Sequence, residues 1–442
     1  MPVTLVSLCR RRRFCQRISG VAAVGMLAGL LGISGHGAEL LRPAPASITA
    51  ADAARHTQAL ADDAFEGREG GSRGGRAAAA YLVEQIEPLG FEPAGDGGSF
   101  YQAFGNGLRN LLAFLPGSDP LLANEVVVVG AHYDHVGYGT AQNSFGPFGF
   151  VHNGADDNAS GVAGLIEIME AVQRLPGPPR RSILFAFWDG EEKGLLGSRH
   201  FLRVRPPPLA GRRLVFCLNL DMIGRLREQR LIVFGARTAS GLRSRIVAAN
   251  NRPGCGSGLE LAFDWDLSDD SDHYAFIEAG IPAAMLHTGL HDQYHRPSDD
   301  VEHLNHAGIP PVARLGLELV IEVADADDPP AFRAAARRES NAARRRFETE
   351  RPNSQPARGR WGILSRSDPA DPALPLVLDV APGSPADRAG LKPGDRLVAI
   401  DGSLITDQAW MVQQLGAAGS ECLLEVDRRG RIMPLRLGED SR

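Results

Sequence analysis

The residues with chemistry to offer are acids and imidazoles standing just past apolar runs. His132 closes Val126-Val127-Val128-Val129-Gly130-Ala131, the acids Asp189, Glu191 and Glu192 follow Ser182 to Trp188, and Asp221 closes Leu214 to Leu220. Asp157 stands directly before Asn158-Ala159-Ser160-Gly161, where an apolar-periodic segment opens, and His295 lies on a late loop. A carboxylate stranded beside an apolar run either takes up a proton or finds a cation. Singly, each residue has a plainer reading: a strand-end histidine is usually a satisfied polar group, and Asp157 caps a helix. Jointly they read as a ligand set for divalent ions. Nitrogen and oxygen donors without thiolate suit zinc, with manganese or cobalt as substitutes.

These side chains need rigid elements behind them. Ser182 to Trp188 is rich in β-branched and aromatic residues and reads as a buried strand, as do the Val-rich run from Val126 to His132 and the run Leu214 to Asp221. Helical patterns are predicted over about Arg76 to Glu87, starting after Gly74-Gly75, and from Asn158 to about Leu175 and Pro176. A later strand spans about Ala283 to Leu286, and Asp299 with Glu302 forms a capping box for a following helix. Strands alternating with helices predict an α/β fold, a mostly parallel sheet sandwiched by helices, with ligands beyond the carboxyl ends of the strands.

Residues 1–38 read as an export signal: Arg10 to Arg13 and Arg17 precede an apolar run from Ile18 to Ile33, with small residues near Gly37 and Ala38. Arg11-Arg12-Arg13-Phe14 resembles a twin-arginine signal; a plain secretory signal and an uncleaved membrane anchor are the alternatives. The apolar run is shorter than the ~20 residues a spanning helix needs, which favours cleavage and no stable membrane span in the mature chain. The segment carries five arginines and no acid, so its removal takes the net charge from −6 to −11. A chain this acidic is a poor partner for nucleic acid. Of the cysteines, Cys217, Cys255 and Cys422 remain, and burial is the preferred reading over a Cys217 to Cys255 disulfide.

From about Ala51 to Val323 the chain resembles the co-catalytic dizinc aminopeptidases of peptidase family twenty-eight. The resemblance rests on Gly130-Ala131-His132-Tyr133-Asp134-His135, Asn153-Gly154-Ala155-Asp156-Asp157-Asn158-Ala159-Ser160-Gly161, Asp189-Gly190-Glu191-Glu192, Asn219-Leu220-Asp221-Met222 and Tyr294-His295-Arg296-Pro297-Ser298-Asp299. It implies two zinc ions per chain: His132 and Asp221 on one, Glu192 and His295 on the other, and Asp157 bridging, with Asp156 as the rival for the bridge. It implies Glu191 as general base toward the bridging water, Asp134 orienting the His132 imidazole through its carboxylate, and Tyr294 hydrogen-bonding the developing oxyanion. Two Zn²⁺ against three ligand carboxylates and a hydroxide balance without Glu191. His135, His152, His273, His287 and His291 are left without a role, and Ser271-Asp272-His273 is rejected as a serine triad because adjacent residues point different ways.

The expected activity is release of N-terminal residues from peptide substrates by an exported metallo-aminopeptidase. Two alternatives accompany it: a glutaminyl cyclase-like zinc acyltransferase, which shares the fold and works with one zinc, and an inactive peptide-binding protein. From about Gly359 to Gly438 the chain resembles a PDZ domain, through Trp361-Gly362-Ile363-Leu364, Val380-Ala381-Pro382-Gly383-Ser384-Pro385-Ala386 and Ala389-Gly390-Leu391-Lys392-Pro393-Gly394-Asp395. That implies a small β-rich domain able to take a peptide or protein C-terminus. The expected division is a signal peptide 1–38, a peptidase domain 46–327, a linker 328–358 with a solvated charged face, and the PDZ-like domain 359–442.

Overall fold

The computed structural model describes residues 43–255, 257–351 and 359–438; the expected signal peptide lies outside the described residues. Among those described, nine strands make one sheet. They are β1 (Glu92–Pro93), β2 (Tyr101–Phe104), β3 (Leu108–Leu115), β4 (Glu125–His132), β5 (Ser182–Trp188), β6 (Arg213–Leu220), β7 (Arg230–Phe234), β8 (Glu260–Phe263) and β9 (Ala283–His287). The spatial order is β1-β3-β5-β4-β6-β9-β7-β8, with β2 paired to β3.

The centre, β5-β4-β6-β9, is parallel. The flanks are not: β3 runs antiparallel to β5 and β7 antiparallel to β9. The sheet is therefore mixed. On one side the hairpin β2–β3 turns back through Gly105–Gly107 and returns its strand antiparallel.

Both faces of the centre are buried, which is why its strands are apolar without alternation. Val127, Val129, Ile183, Phe185 and Phe187 pack into the core under helices Gly161–Gln173 and Ile309–Asp325. Their neighbours Val126, Val128, Leu184, Ala186 and Trp188 pack into the opposite core, with Phe201 and Phe276 from helices Leu196–Arg203 and His273–Glu278. Gly130 is needed where Trp188 crosses β4, since a Cβ there would lie 2.4 Å from the Trp188 indole nitrogen. The predicted first helix runs Arg73–Ile86, three residues earlier than read, because Ser72 caps it by accepting from the Gly75 N–H.

The C-terminal sheet is antiparallel throughout: β10 (Ile363–Asp368), β11 (Asp371–Val380), β12 (Arg396–Ile400), β13 (Ser403–Leu404), β14 (Glu421–Arg428) and β15 (Arg431–Gly438). Helix Gln408–Ala417 and Trp361, Val377, Leu397, Leu424 and Val426 give it a core of its own.

This sheet is docked on the first. Asp427 pairs with Arg243 at 2.6 Å, Asp371 accepts from the Ser244 N–H and hydroxyl, and the Arg429 carbonyl accepts from the Leu261 N–H of β8 at 2.8 Å. Gly430 sits against Leu261 at positive φ, where a Cβ would come within 2.4 Å of the leucine Cγ. The stretch expected as a linker with a solvated face is partly packed. Helix Asn341–Thr349 sets Phe347 against Trp265, ring centroids 5.7 Å apart and tilted at 45°, and Glu339 joins Arg237 and Arg333. Cys217, Cys255 and Cys422 are buried and free.

Candidate metal centre

Because β4, β5, β6 and β9 are parallel, their carboxyl ends open on one side, and His132, Asp189 to Glu192, Asp221 and the loop to His295 arrive there together. Asp157 comes from the turn ahead of helix Gly161–Gln173.

Asp157 spans the group. Its Oδ1 lies 3.4 Å from His132 Nε2 and its Oδ2 lies 3.1 Å from His295 Nε2. His132 Nε2 is also 3.5 Å from Asp221 Oδ1, and His295 Nε2 is 3.2 Å from Glu192 Oε2. Asp156, the rival, faces away: its Oδ1 accepts from the Ser160 hydroxyl and the Gly224 N–H, and its Oδ2 lies 3.2 Å from His291. All five expected ligands thus gather in one cleft, and Asp156 stands behind it.

The electrostatics fit a cation. Burial works against charging His132, yet the carboxylates of Glu191, Asp221 and Asp157 outweigh it and raise its pKa. Burial likewise opposes His295, but hydrogen bonds to Asp157 and Glu192 push it up to about 11. Glu191 is raised well above the ordinary carboxylate range by burial. Carboxylates this crowded and dry draw protons onto the imidazoles between them, and divalent ions would serve that demand instead. Asp221 Oδ1 is buried without a hydrogen-bond partner, and two sets of donors, His132 with Glu191 and Asp221 and His135 with Asp157 and Glu192, converge closely enough to hold an ion each.

Three details differ from the sequence reading. Asp134 does not hydrogen-bond the His132 ring through its carboxylate: the His132 Nδ1 partner is the Asp134 main-chain carbonyl, at 3.1 Å. The carboxylate is 3.8 Å from that nitrogen and accepts from the Glu191 N–H at 3.0 Å. β4 ends at His132, so Asp134 lies past the strand, in the turn that follows it. His135, to which the sequence assigns no role, has its Nδ1 2.7 Å from Glu192 Oε1. Asp299 is not a helix cap: the helical turns after it, Val301–His303 and His306–Gly308, are short, and the next long helix begins at Ile309. Its carboxylate instead accepts from the N–H groups of Asp156 and Asp157, fixing the turn that carries Asp157.

Arg68 was not singled out from the sequence. Fully buried, it donates to the carbonyls of Leu60, Tyr133, Asn153 and Gly154, tying the His132 and Asp157 segments together. The Gly- and Phe-rich loop also has a place: the Phe145 N–H and the Ser144 hydroxyl both donate to the His295 carbonyl, while Arg296 donates back to the Phe145 carbonyl. His273 has no hydrogen-bond partner at either ring nitrogen among the described residues, and Ser271 accepts from Asn219, so no serine triad is assembled.

Beside the centre lies a cavity of about 400 Å³. Its polar lining is His132, Asp157, Glu191, Asp221, Asp270, His287 and His295; Met222, Ile232, Phe234, Met285 and Leu290 make the apolar lining, and Tyr294 lines it as well. Burial raises the Tyr294 phenol far above its ordinary pKa, so it stays a donor. Its ring lies 3.9 Å from that of His295.

Residues 110–320 match the family Peptidase family M28, and residues 376–428 match PDZ domain. Leupeptin-inactivating enzyme 1 of Streptomyces exfoliatus is 27% identical over 64% of this chain and 60% of its own length. Aminopeptidase YwaD of Bacillus subtilis is 31% identical over 41% of this chain and 37% of its own length. The chain thus spans only part of the curated relatives it matches. Among solved structures, the LapA aminopeptidase of Legionella pneumophila superposes with a TM-score of 0.55 at 20% identity, over 66% of this chain and 76% of that one, a likeness of fold. No helix among the described residues is long and apolar enough to cross a membrane. Residues 110–320 thus form a peptidase family M28 domain, and residues 376–428 a PDZ domain behind it.

Proposed function

We propose that the protein is an exported metallo-aminopeptidase that removes N-terminal residues with apolar side chains from peptides. One observation carries this: the two oxygens of Asp157 face different histidines, His132 and His295, as a carboxylate shared by two ions requires. His132 and Asp221 would hold one zinc, Glu192 and His295 the other, and Asp157 both. When bound, the pair would supply Lewis-acid activation of a water and of the scissile carbonyl.

The protein's own groups supply the rest. Glu191 takes the proton from the attacking water on its carboxylate and delivers it to the leaving amine nitrogen, a task that its burial suits by raising its basicity. The Glu191 main chain is anchored by Asp134, so the carboxylate is presented from a fixed turn. Tyr294, kept protonated, donates its O–H to the oxyanion that forms on the substrate. The apolar wall of Met222, Ile232, Phe234, Met285 and Leu290 receives the N-terminal side chain. The named aminopeptidases among the relatives support the reaction class. Segment 1–38 supports export, and the PDZ domain supports capture of a peptide C-terminus.

The test is hydrolysis of leucyl against glutamyl p-nitroanilide, with metal counted on the same preparation. Leucyl substrate should be preferred, a chelator should abolish turnover, and Glu191→Gln should lower kcat by about 10²–10⁴-fold with metal content unchanged. Full activity in that variant would refute the assigned base. Cyclisation of N-terminal glutamine with one bound ion would replace this reading by the glutaminyl cyclase one, a reaction named for solved proteins of similar fold.

A further inference from the structure

Away from the metal centre, a second cavity of about 480 Å³ lies where the catalytic sheet, helix Asn341–Thr349 and the C-terminal sheet meet. Five arginines line it: Arg230, Arg243, Arg344, Arg396 and Arg429. Two acids, Glu260 and Glu348, share the lining.

The pairing is uneven. Glu260 is engaged by Arg429 at 2.9 Å and Arg243 by Asp427. Asp368 is shared between Arg396 at 2.9 Å and Arg237 at 2.8 Å, one carboxylate against two guanidiniums. Arg230 and Arg344 have no carboxylate within ion-pair reach among the described residues, and Arg344 is held only by the Phe263 carbonyl. The Nε groups of Arg243 and Arg344 are buried without a hydrogen-bond acceptor. Burial, with Arg243 as a like-charged neighbour, pulls Arg396 down to about 10 even with Asp368 beside it. The volume is that of a small-molecule site.

We propose that this cavity binds a small oxyanion-bearing molecule, a phosphate or carboxylate compound, held by Arg230 of β7 and Arg344 of the joining helix, with Arg396 and Arg429 of the C-terminal sheet among its walls. Guanidinium forks match the geometry of either oxyanion, and no acid would have to be displaced from these two side chains. Because the walls belong to both domains and to the segment joining them, the bound anion would stiffen their arrangement. Such a ligand would act on the domain arrangement without touching the metal centre.

The experiment is calorimetric titration of the full chain with inorganic pyrophosphate and, separately, with citrate, at constant ionic strength. Saturable binding of either, weakened at least about 10-fold in both Arg230→Glu and Arg344→Met, is the expected result, and the probe that binds tells phosphate from carboxylate recognition. Arg230 is exposed and has no side-chain hydrogen bond or ion pair among the described residues, so its variant remains informative if Arg344→Met fails to fold. Absence of saturable binding by both probes, or binding equally tight in Arg230→Glu, overturns the proposal.

Discussion

At the scale of single residues, the candidate metal centre is held by side chains outside the proposed ligand set. Arg68 is the clearest. Burial pulls its pKa to about 10, which still leaves it charged at neutral pH, and its charge is spread over main-chain carbonyls from three segments. Arg68→Met would strand those carbonyls in a dry interior. Unfolding by urea should show a loss of about 3 kcal/mol or more, and metal retention in a chelator competition should fall at least about 10-fold as the Asp157 turn loosens. None of this is visible in Glu66-Gly67-Arg68-Glu69, a run without periodicity or motif. By contrast, the gathering of His132, Asp157, Glu191, Glu192, Asp221 and His295 at one place is legible, because each follows an apolar run or sits in a recognisable motif. His135 belongs to the same motif as His132 and was passed over because its partner, Glu192, is 57 positions away. Long-range hydrogen bonds leave no local trace.

At the scale of elements, the central strands were read nearly to the residue: Ser182–Trp188 matches the sequence reading, and Glu125–His132 and Arg213–Leu220 differ by a residue at their ends. Unbroken β-branched and aromatic runs admit little else when both faces are covered. The antiparallel flanks were not legible, since strand direction depends on how connections travel. The capping box at Asp299 and Glu302 misled for a related reason: Asp299 found N–H donors at Asp156 and Asp157 instead of in its own following turn. Helix Gly161–Gln173 carries a further consequence. Its Glu167 is buried and, among the described residues, accepts only from the Thr49 N–H, and burial raises it to about 7. A folded pKa above the ordinary 4.5 means that stability present below about pH 4.5 is lost as pH rises through about 7. Glu167→Gln, which keeps an acceptor for Thr49, should therefore raise unfolding free energy by about 1–3 kcal/mol at pH 8 and change it little at pH 4. Thermal melts of both proteins at the two pH values read this directly.

At the scale of the whole molecule, the sequence suggested two bodies on a charged tether, and the structure shows them joined face to face. Charge alone did not reveal this, because Arg237, Arg243, Arg333 and Arg429 look like ordinary surface residues until Asp368, Asp427, Glu339 and Glu260 are seen opposite them. Ion pairs between distant segments carry no spacing that a reader of the chain could use.

The outermost strand of the catalytic sheet, β8, has its free side occupied, with the Leu261 N–H given to the Arg429 carbonyl and the Phe263 carbonyl taken by Arg344. A peptidase domain shortened to end at Asp325 would leave that rim bare, a template on which a second molecule can lay a strand of its own. Such a truncate should scatter light increasingly with concentration while the full chain stays dispersed, so the C-terminal module doubles as a guard against self-association.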